Sequence, residues 1–255
     1  MNILKNIILK GNGLCKTFKN GETSTNVIRN LDVEIFENEF TVIMGSSGAG
    51  KSTLLYILSG IDKATSGEVF LNNQRIDNLK EKAMTEIRRK HIGFIFQEPN
   101  LLEDFTIYDN IAVTGFMGCK DRKDVNARSV NLLKNVDIFD HKNKYPSQLS
   151  GGQKQRVAVA RSLINQPSIL FADEPTGALN ASQSENILNL LTTINNQGQT
   201  ILMVTHDIKA ACRADRLLFI KDGKISGELK MDQFMVETKE EREQQIFEFL
   251  MSRGW

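Results

Sequence analysis

The sequence contains a glycine-rich run whose residue types and spacing are those of a phosphate-binding loop. The run follows the apolar residues 40–44, a predicted strand, and precedes an apolar helical pattern that includes Thr53. A phosphate-binding loop requires a strand before it and a helix after it, whereas an ordinary glycine-rich turn does not. Its members are Gly45, Ser46, Ser47, Gly48, Ala49, Gly50, Lys51 and Ser52. Glycines let backbone N–H groups turn toward phosphate oxygens, and the start of a helix adds partial positive charge. Lys51 then supplies a charge for the outer phosphates, and the Ser52 hydroxyl is placed to ligate Mg²⁺.

A second chemical signal is a pair of carboxylates at the end of an apolar run. Residues 168–174 read Ser-Ile-Leu-Phe-Ala-Asp-Glu, so that Asp173 and Glu174 end a predicted buried strand. Uncompensated charge at such a place is costly, which favours a functional pair over an incidental surface pair. Asp173 is placed to hold Mg²⁺ directly or through water, and Glu174 to polarise an attacking water. Together with the glycine-rich run, this pair predicts hydrolysis of a nucleoside triphosphate.

A third motif, at residues 149–153, combines a helix cap with a glycine pair. Ser150 is a typical N-cap residue, and the N–H groups of Gly151 and Gly152 make a second anion site at a helix start. Gln153 completes the motif, and residues 157–165 continue as a helical pattern. A Ser-Gly-Gly helix start is common, whereas the full string Leu-Ser-Gly-Gly-Gln is rare by average residue usage.

The elements that must position these residues are apolar strands separated by helical patterns. Several apolar stretches are continuous, as expected of strands that are buried on both faces of a sheet. The predicted strands are residues 33–36, 40–44, 69–71, 92–96, 169–172, 201–204 and 217–220. In residues 184–195 apolar side chains recur at helical spacing, and Gly198 is placed to end that helix. This alternation predicts an α/β fold with a parallel sheet and crossover helices.

The predicted domain organisation has one domain and one appended helix. Residues 1–236 form the domain, and within it the polar, mostly helical residues 85–165 are predicted to form an inserted helical subdomain. Residues 237–255 are predicted to form a C-terminal amphipathic helix. The apolar face of that helix consists of Ile246, Phe247, Leu250 and Met251. Such a face usually packs onto its own domain, and a partner helix is the alternative.

Composition argues against several other kinds of protein. The 255 residues carry 32 Lys and Arg against 31 Asp and Glu, a net charge of +1, so bulk attraction to nucleic acid or anionic lipid is not expected. The widely spaced Cys15, Cys119 and Cys212 fit reduced thiols rather than disulfides or a zinc site. No apolar run approaches the length of a membrane helix, and the N-terminal one is too short for the core of a signal peptide.

In the order of these motifs the sequence resembles the ATP-binding subunits of ABC transporters, over about residues 8–227. The glycine-rich run matches the Walker A loop, residues 169–174 match the Walker B strand with its catalytic glutamate, and residues 149–153 match the family signature. Three more residues match by position: the Q-loop glutamine is Gln97, the switch histidine is His206, and the aromatic residue that stacks on adenine is Phe18. The fold implied by the resemblance is a P-loop NTPase with a mixed, largely parallel sheet, an N-terminal antiparallel β subdomain and an inserted helical subdomain.

The resemblance also implies a role for each site residue. The implied ATP-binding set is Phe18, Gly45, Ser46, Ser47, Gly48, Ala49, Gly50, Lys51, Ser52, Thr53 and Gln97. The implied Mg²⁺ ligands are Ser52, Gln97 and Asp173, and the implied catalytic residues are Glu174 and His206. Two copies of the chain are expected to enclose two ATP molecules head to tail, so that each signature acts on the partner's ATP. The residues that act in this way are Ser150, Gly151, Gly152, Gln153 and Asn180.

The sequence departs from the family pattern at three places. Asn180 stands where the family usually has aspartate, so an acceptor is kept and a charge is lost. Asn38 stands where the family often has glycine, and asparagine tolerates left-handed turn geometry. Phe18 replaces a commoner tyrosine, and stacking works with either ring.

A finer resemblance is to the group of macrolide-export, lipoprotein-releasing and bacitracin-export ATPases. The stretches that carry it are residues 59–62, 92–97, 171–179 and 219–223. The whole chain looks most similar to the bacitracin-export branch, which protects Gram-positive bacteria against peptide antibiotics directed at the cell wall. A lipoprotein-release, macrolide-export or cell-division complex is the nearer alternative. A soluble ABC-type ATPase that acts on nucleic acid or ribosomes is the remote one, since the chain has no coiled coil and no basic surplus.

A nucleotide site without a membrane span implies that the membrane permease is a separate chain. The expected location is therefore the cytoplasmic face of the cell membrane, through the permease, with no nucleic-acid partner. Leu101, Leu102 and Phe105, shortly after Gln97, are candidate docking residues, and burial inside the helical subdomain is the alternative. Two histidines match no motif and are interpreted as surface residues; they are His91 and His141.

Overall fold

The computed structural model describes residues 6–21 and 23–255, so residues 1–5 of the predicted domain lie outside the described residues. The chain forms two compact units. One unit runs up to residue 84 and resumes at residue 195, and the other is Thr85–Ile194. The second unit begins where the predicted helical subdomain begins and continues beyond residue 165. The division into one domain with a subdomain at 85–165 stays a prediction.

The strands and helices follow one another in chain order. Before residue 80 they are β1 (Ile7–Asn20), β2 (Thr23–Phe36), β3 (Phe40–Gly45), α1 (Lys51–Leu58), β4 (Ser66–Leu71) and β5 (Gln74–Arg75). Next come α2 (Glu81–His91), β6 (Ile92–Ile95), α3 (Ile107–Gly118), α4 (Arg122–Asn135), α5 (Gly151–Leu163), β7 (Ile169–Asp173) and α6 (Ala181–Asn196). The last are β8 (Thr200–Val204), α7 (Ile208–Ala211), β9 (Arg216–Lys221), β10 (Lys224–Lys230) and α8 (Lys239–Ser252).

The first unit contains an antiparallel sheet and a mixed set of strands. The antiparallel sheet has the strand order β2-β1-β4-β5. In the mixed set, β3 pairs in parallel with β8 and with β9, and β10 pairs antiparallel to β9. Every residue of β3 and of β8 is buried, which explains why their sequences are continuously apolar rather than alternating.

The second unit combines a parallel strand pair with helices. β6 and β7 run in parallel, with Ile95 opposite Ala172. Thr106, Asp121 and Ser150 cap the starts of α3, α4 and α5 by accepting backbone N–H groups. A buried apolar cluster joins these helices and is formed by Ile107, Ile111, Leu133, Val136, Ile138, Leu149, Val157, Ala160 and Ile164. The predicted α/β class, with an antiparallel β subdomain and a mixed, largely parallel sheet, is confirmed.

The two helices predicted at residues 184–195 and 237–255 are both present, but the predicted apolar face of the second is only partly correct. The helix predicted at 184–195 is α6, and Gly198 follows it with a φ of 96°. In the C-terminal helix α8 the predicted apolar face is only half right, because Phe247 is 48% exposed and Met251 is 53% exposed. The buried face consists of Arg242, Ile246 and Leu250, which are four residues apart and therefore align along the helix.

Candidate functional site

The glycine-rich loop joins β3 to α1, and two of its glycines are required by backbone geometry. Gly48 and Gly50 have φ values of 77° and 97°, in the region that L side chains rarely adopt. A Cβ on Gly50 would also lie 2.8 Å from Ile28 Cδ1 and 3.0 Å from the Val27 carbonyl oxygen. Gly50 is the N-cap residue of α1, so the loop ends at the start of a helix as the sequence predicted.

The lysine of the loop folds back over the loop's own backbone. Lys51 Nζ donates hydrogen bonds to the carbonyl oxygens of Gly45 at 2.9 Å and Ser46 at 3.0 Å. Ser46, Ser47 and Gly48 are exposed. An ammonium group held in this way beside exposed backbone can neutralise an anion that binds in the loop.

The loop residues in or beside α1 are partly or fully buried. Ser52 and Thr53 lie in the first turn of α1 and are half-buried, as is Lys51, whereas Ala49 is buried. A Cβ on Gly45 would lie 2.3 Å from the Ile220 carbonyl oxygen, so β3 and β9 approach too closely for any larger residue. The loop is therefore anchored to the mixed strands of the first unit.

His206 lies at the same edge of these strands as the glycine-rich loop. β3 and β8 are parallel with Ile43 opposite Val204, so their carboxyl ends meet at one edge. The Thr205 N–H donates to the Ile43 carbonyl oxygen at 3.2 Å, and the side chain of His206 is exposed. Asp207 then caps α7 by accepting the Lys209 N–H at 2.8 Å. Within the first unit, the structure thus brings His206 to the edge that carries Lys51.

Phe18 lies on the antiparallel sheet of the first unit with its ring 46% exposed. The ammonium of Lys16 lies over this ring, 4.9 Å from the ring centroid. That ammonium is held by Asp62 Oδ2 and by the Lys63 carbonyl oxygen, each at 2.7 Å. Phe18 therefore presents an exposed aromatic surface whose position is supported by a cation–π contact.

The two carboxylates follow β7 and differ in their surroundings. Asp173 is only 8% exposed and ends the strand, whereas Glu174 is half-buried. Glu174 has a φ of 47°, an unusual left-handed conformation for a residue with a side chain. The Glu174 carbonyl oxygen accepts the Gly177 N–H at 2.9 Å, which closes the turn. β7 therefore ends in a tight turn at Glu174, directly after the buried Asp173.

Gln97 follows β6, the parallel neighbour of β7, and the segment around it is held by helix α5. Gln155 is buried and its Nε2 donates to the Phe96 carbonyl oxygen at 2.9 Å. Arg161 donates to the carbonyl oxygens of Pro99 and Asn100, both at 2.6 Å. Burial lowers the pKa of the Arg161 guanidinium. Helix α5 therefore fixes the backbone on both sides of Gln97.

The side chain of Gln97 lies against the turn that follows Glu174. A Cβ on Gly177 would lie 2.9 Å from Gln97 Nε2 and 3.2 Å from its Cδ. The structure thus brings Gln97 and the Glu174 turn together within the second unit. Neither Gln155 nor Arg161 was predicted. Gln155 lies in a polar helix start that carries no signal of burial, and Arg161 is a charged residue in the last turn of the same helix.

The 149–153 motif forms a reciprocal helix cap. Ser150 Oγ accepts the Gln153 N–H at 3.3 Å, and Gln153 Oε1 accepts the Ser150 N–H at 2.9 Å. The N-cap prediction for Ser150 is confirmed. Gly152 packs close to Gln183, since a Cβ on Gly152 would lie 3.0 Å from Gln183 Cγ, and a Cβ on Gly151 would contact Leu179.

Asn180 has a structural use of its own at the start of α6. Its Oδ1 accepts the Gln183 N–H at 2.9 Å, and its carbonyl oxygen accepts the Ser184 N–H at 2.8 Å. An amide oxygen caps a helix as well as a carboxylate does. The exchange of aspartate for Asn180 therefore keeps the local fold and removes one negative charge beside the signature helix.

The interpretation of two histidines as plain surface residues is wrong. Both are half-buried, and each contacts a polar side chain within the second unit. His91 Nδ1 lies 3.2 Å from Ser168 Oγ, and His141 Nε2 lies 3.2 Å from Gln153 Nε2. Their partial burial comes from tertiary contacts, which no local pattern shows.

The second unit also carries a groove of about 500 Å³, here called the Phe96 groove. Its lining includes Arg88, Arg89, Ile92, Phe94, Phe96, Leu102, Met117 and Arg161. Of the three candidate docking residues, Leu102 lines this groove and is 46% exposed. Leu101 packs against the buried helical cluster, whereas Phe105 is 41% exposed. Of the two predictions for these residues, docking or burial inside the helical subdomain, burial is therefore correct for Leu101 alone.

Comparison with known proteins agrees with this geometry. The family described as ABC transporter matches residues 28–177. One similar solved structure is that of MJ0796, described as a bacterial ABC transporter cassette and solved as a dimer, including in a post-hydrolysis state with ADP and Pi. It is 39% identical over 89% of this chain and 100% of that chain, with a TM-score of 0.80. CbiO1 from Clostridium perfringens, described as part of the ABC transporter complex cbiONQ, is 29% identical over 98% of this chain and 96% of that one, with a TM-score of 0.81.

The chain belongs to the ABC transporter family, as one of its ATPase cassettes. Among the helices that the structure describes, none combines the length and the apolar character that crossing a bilayer requires.

Proposed function

We propose that the chain binds ATP with Mg²⁺ in the glycine-rich loop and hydrolyses it in a dimer of two copies. The observation that carries this proposal is the ammonium of Lys51, held by the carbonyls of Gly45 and Ser46 at a helix start. In this role the loop residues from Gly45 to Ser52 surround the phosphates, and Thr53 supports them from the first turn of α1. Phe18 offers its exposed ring to adenine.

The residues proposed for Mg²⁺ have the donor chemistry that the ion prefers. Ser52 provides a hydroxyl, Gln97 an amide oxygen and Asp173 a carboxylate, and such hard oxygen donors suit a small divalent cation. In the described residues, no group of three His, Cys, Asp or Glu side chains is arranged to hold a metal. When bound, the ion neutralises charge on the phosphates.

Glu174 is the residue proposed to accept a proton from the attacking water. Glu174 lies half-buried in the left-handed turn after β7, whereas Asp173, proposed for the metal, is the buried last residue of that strand. His206, exposed at the edge that carries the loop, is proposed to contact the γ-phosphate. Gln97 is proposed to touch the metal, and its backbone is held by α5.

The signature residues are proposed to act on the ATP of the partner copy. Ser150, Gly151, Gly152 and Gln153 form a capped helix start that suits a phosphate, and Asn180 lies beside it at the start of α6. The dimers described for MJ0796 support such an arrangement. ATP then joins two copies, and its hydrolysis releases them.

Mixing two inactive variants tests the shared site. Lys51→Ala removes the loop's cation, and Ser150→Arg blocks the signature with a bulky side chain. A mixed dimer of the two keeps one intact site, so a one-to-one mixture should recover about a quarter of the parental ATPase rate. Mixing Lys51→Ala with Ser150→Arg,Lys51→Ala is the matched control, since no intact site can form. If the first mixture recovered no more ATPase activity than the control mixture, the shared site would be contradicted.

We further propose a membrane permease as the partner, docked at the Phe96 groove. The groove combines aromatic and aliphatic side chains with Arg88 and Arg89, and it adjoins the segment that carries Gln97. The description of CbiO1 as part of a transporter complex supports such a partner. The chain would then work at the cytoplasmic face of the cell membrane.

Affinity purification from membranes tests this docking. The tagged chain should carry a permease with it, and Leu102→Asp should release that permease while ATP binding is unchanged. Phe105→Asp, which changes a neighbouring exposed side chain outside the groove lining, is the matched control and should retain the permease. Retention of the permease by Leu102→Asp, or its absence from the parental preparation, would contradict docking at the groove.

The substrate proposed for the complex is a peptide antibiotic directed at the cell wall, such as bacitracin or a lantibiotic. This rests on the finer sequence resemblance alone. A lipoprotein-release, macrolide-export or cell-division role is equally consistent with the relatives, and action on nucleic acid is the remote alternative. Deletion of the gene should lower the minimal inhibitory concentration of bacitracin and leave that of macrolides unchanged, and Glu174→Gln should fail to restore it. Unchanged bacitracin sensitivity would contradict this substrate.

A further inference from the structure

We infer that His141 is a positioning residue for the signature, because its imidazole fixes the side-chain amide of Gln153. This inference rests on the proposed function, since it deepens the role given there to Ser150 and Gln153. The contact joins His141 Nε2 to Gln153 Nε2 at 3.2 Å. His141 belongs to no motif, and its contribution is visible only in three dimensions.

The orientation of the Gln153 amide follows from its other hydrogen bond. A backbone N–H can only donate, so the Gln153 atom 2.9 Å from the Ser150 N–H must be the oxygen. The atom facing His141 is then the NH₂ group, which can only donate. An amide turned the other way would place two donors together at Ser150 and leave that N–H without its acceptor.

The same argument fixes the form of the imidazole. His141 Nε2 must accept the hydrogen bond from Gln153, so the ring is neutral and carries its proton on Nδ1. Nδ1 is buried and has no hydrogen-bond partner among the described residues. A ring turned over would place the carbon Cε1, which accepts no hydrogen bond, against the amide NH₂, and a proton on Nε2 would set two donors together. One ring orientation and one tautomer therefore serve Gln153.

The turn that carries His141 is fixed from both sides. The His141 N–H donates to the Ile138 carbonyl oxygen at 3.0 Å, and the His141 carbonyl oxygen accepts the Lys144 N–H at 2.9 Å. Ile138 is 2% exposed, and the neighbouring Phe139 packs against the buried helical cluster. The imidazole is therefore presented by an anchored turn rather than by a free side chain.

The consequence is a chain of three contacts that ends at the signature serine. His141 holds Gln153, Gln153 Oε1 holds the Ser150 N–H, and Ser150 Oγ accepts the Gln153 N–H. Because the serine oxygen accepts, its own proton can be donated to a phosphate oxygen. Without His141, the side-chain amide of Gln153 can rotate, so that the conformation in which its oxygen accepts the Ser150 N–H is populated for a smaller fraction of the time.

The test compares two substitutions at this position with a matched one elsewhere. His141→Leu removes the acceptor, His141→Gln keeps an oxygen near the position of Nε2, and His91→Leu removes a half-buried imidazole that contacts Ser168 instead. The measurements are kcat, ATP affinity of the dilute chain, and hydrogen exchange of the Ser150 amide. In the Glu174→Gln background, the ATP-dependent dimer dissociation constant is measured as well.

His141→Leu should lower kcat about fivefold and speed exchange at Ser150 by a similar factor, the scale of one lost hydrogen bond. Each dimer contains two such caps, so its dissociation constant should rise about 25-fold, while ATP affinity of the dilute chain stays unchanged. His141→Gln should remain within about twofold of the parent in every assay, and His91→Leu should match the parent.

Equal exchange at Ser150 in His141→Leu and the parent would overturn the inference, as would equal losses in His141→Leu and His141→Gln. If the chain with Glu174→Gln as its only substitution forms no dimer with ATP, the proposed function fails. The exchange measurement still decides the inference in that case.

Discussion

Replacing Gln155 by leucine tests whether helix α5 holds the segment that carries Gln97. Gln155 is 1% exposed, and its Nε2 donates to the Phe96 carbonyl oxygen at 2.9 Å, while its Oε1 is buried without a hydrogen-bond partner among the described residues. Leucine leaves the Phe96 carbonyl unsatisfied, at about 1–3 kcal/mol, but it also removes the unsatisfied oxygen. The two effects oppose each other, so the free energy of unfolding should fall by only about 1 kcal/mol.

The effect of Gln155→Leu on turnover should be much larger than its effect on stability. Loss of the hydrogen bond frees the backbone one residue before Gln97, and a misplacement of about 1 Å at a reacting centre can lower a rate about a hundredfold. We therefore expect kcat to fall ten- to a hundredfold with the protein still folded. Gln155→Glu, of equal size, should destabilise the fold more, because it buries a carboxylate against a carbonyl oxygen.

Urea unfolding and steady-state ATPase assays on the same preparations measure both quantities. If Gln155→Leu hydrolysed ATP at the parental rate, the hydrogen bond to Phe96 would not be what positions Gln97. If its free energy of unfolding fell by more than about 3 kcal/mol, removal of the unsatisfied Gln155 oxygen would not offset the unsatisfied Phe96 carbonyl.

Three further predictions concern the loop and a buried thiol. Lys51→Ala should weaken ATP binding about a hundredfold in calorimetry, the scale of two charge-assisted hydrogen bonds, and parental affinity would contradict the role of the ammonium. Gly45→Ala places a Cβ 2.3 Å from the Ile220 carbonyl oxygen, so urea unfolding should show a loss of about 3 kcal/mol or more, and an unchanged midpoint would refute the close approach. Burial, and then the charge of Glu243, raises the pKa of the Cys212 thiol to about 12. Since a raised pKa keeps the thiol protonated, alkylation followed by mass spectrometry should spare Cys212 at pH 7 and at pH 9, and rapid labelling at pH 9 would count against its burial.

Local patterns in the sequence predicted those parts of the molecule that local physics determines. The strand before the glycine-rich loop, the helix after it and the Ser150 cap all depend on residues within a few positions of one another. Asn38 adopts a φ of 61°, the left-handed turn that asparagine tolerates. The long strand β1 was not predicted, because Gly11 and Gly13 interrupt its alternation, and pairing with β2 and β4 supplies what the pattern lacks.

The supporting contacts of the site could not be predicted in this way. Gln155 reaches a carbonyl 59 residues away, and Arg161 reaches Pro99 across a similar separation. His141 acts through Gln153, and neither its burial nor its ring orientation leaves a trace in the neighbouring sequence. All three side chains are polar, and their burial and contacts follow from tertiary packing rather than from a local pattern.

We propose that ATP joins two copies of this chain and that Glu174 is needed to release them. Light scattering coupled to size-exclusion chromatography measures this directly on Glu174→Gln, with Lys51→Ala as the control. With ATP and Mg²⁺ the Glu174→Gln protein should elute with twice the mass of the 28.7 kDa chain, and with ADP or with the added Lys51→Ala substitution it should elute as a monomer. Its turnover should be about a hundredfold or more below that of the parent. A monomer in ATP would contradict the joining of two copies by ATP, and parental hydrolysis by Glu174→Gln would contradict the catalytic role of Glu174.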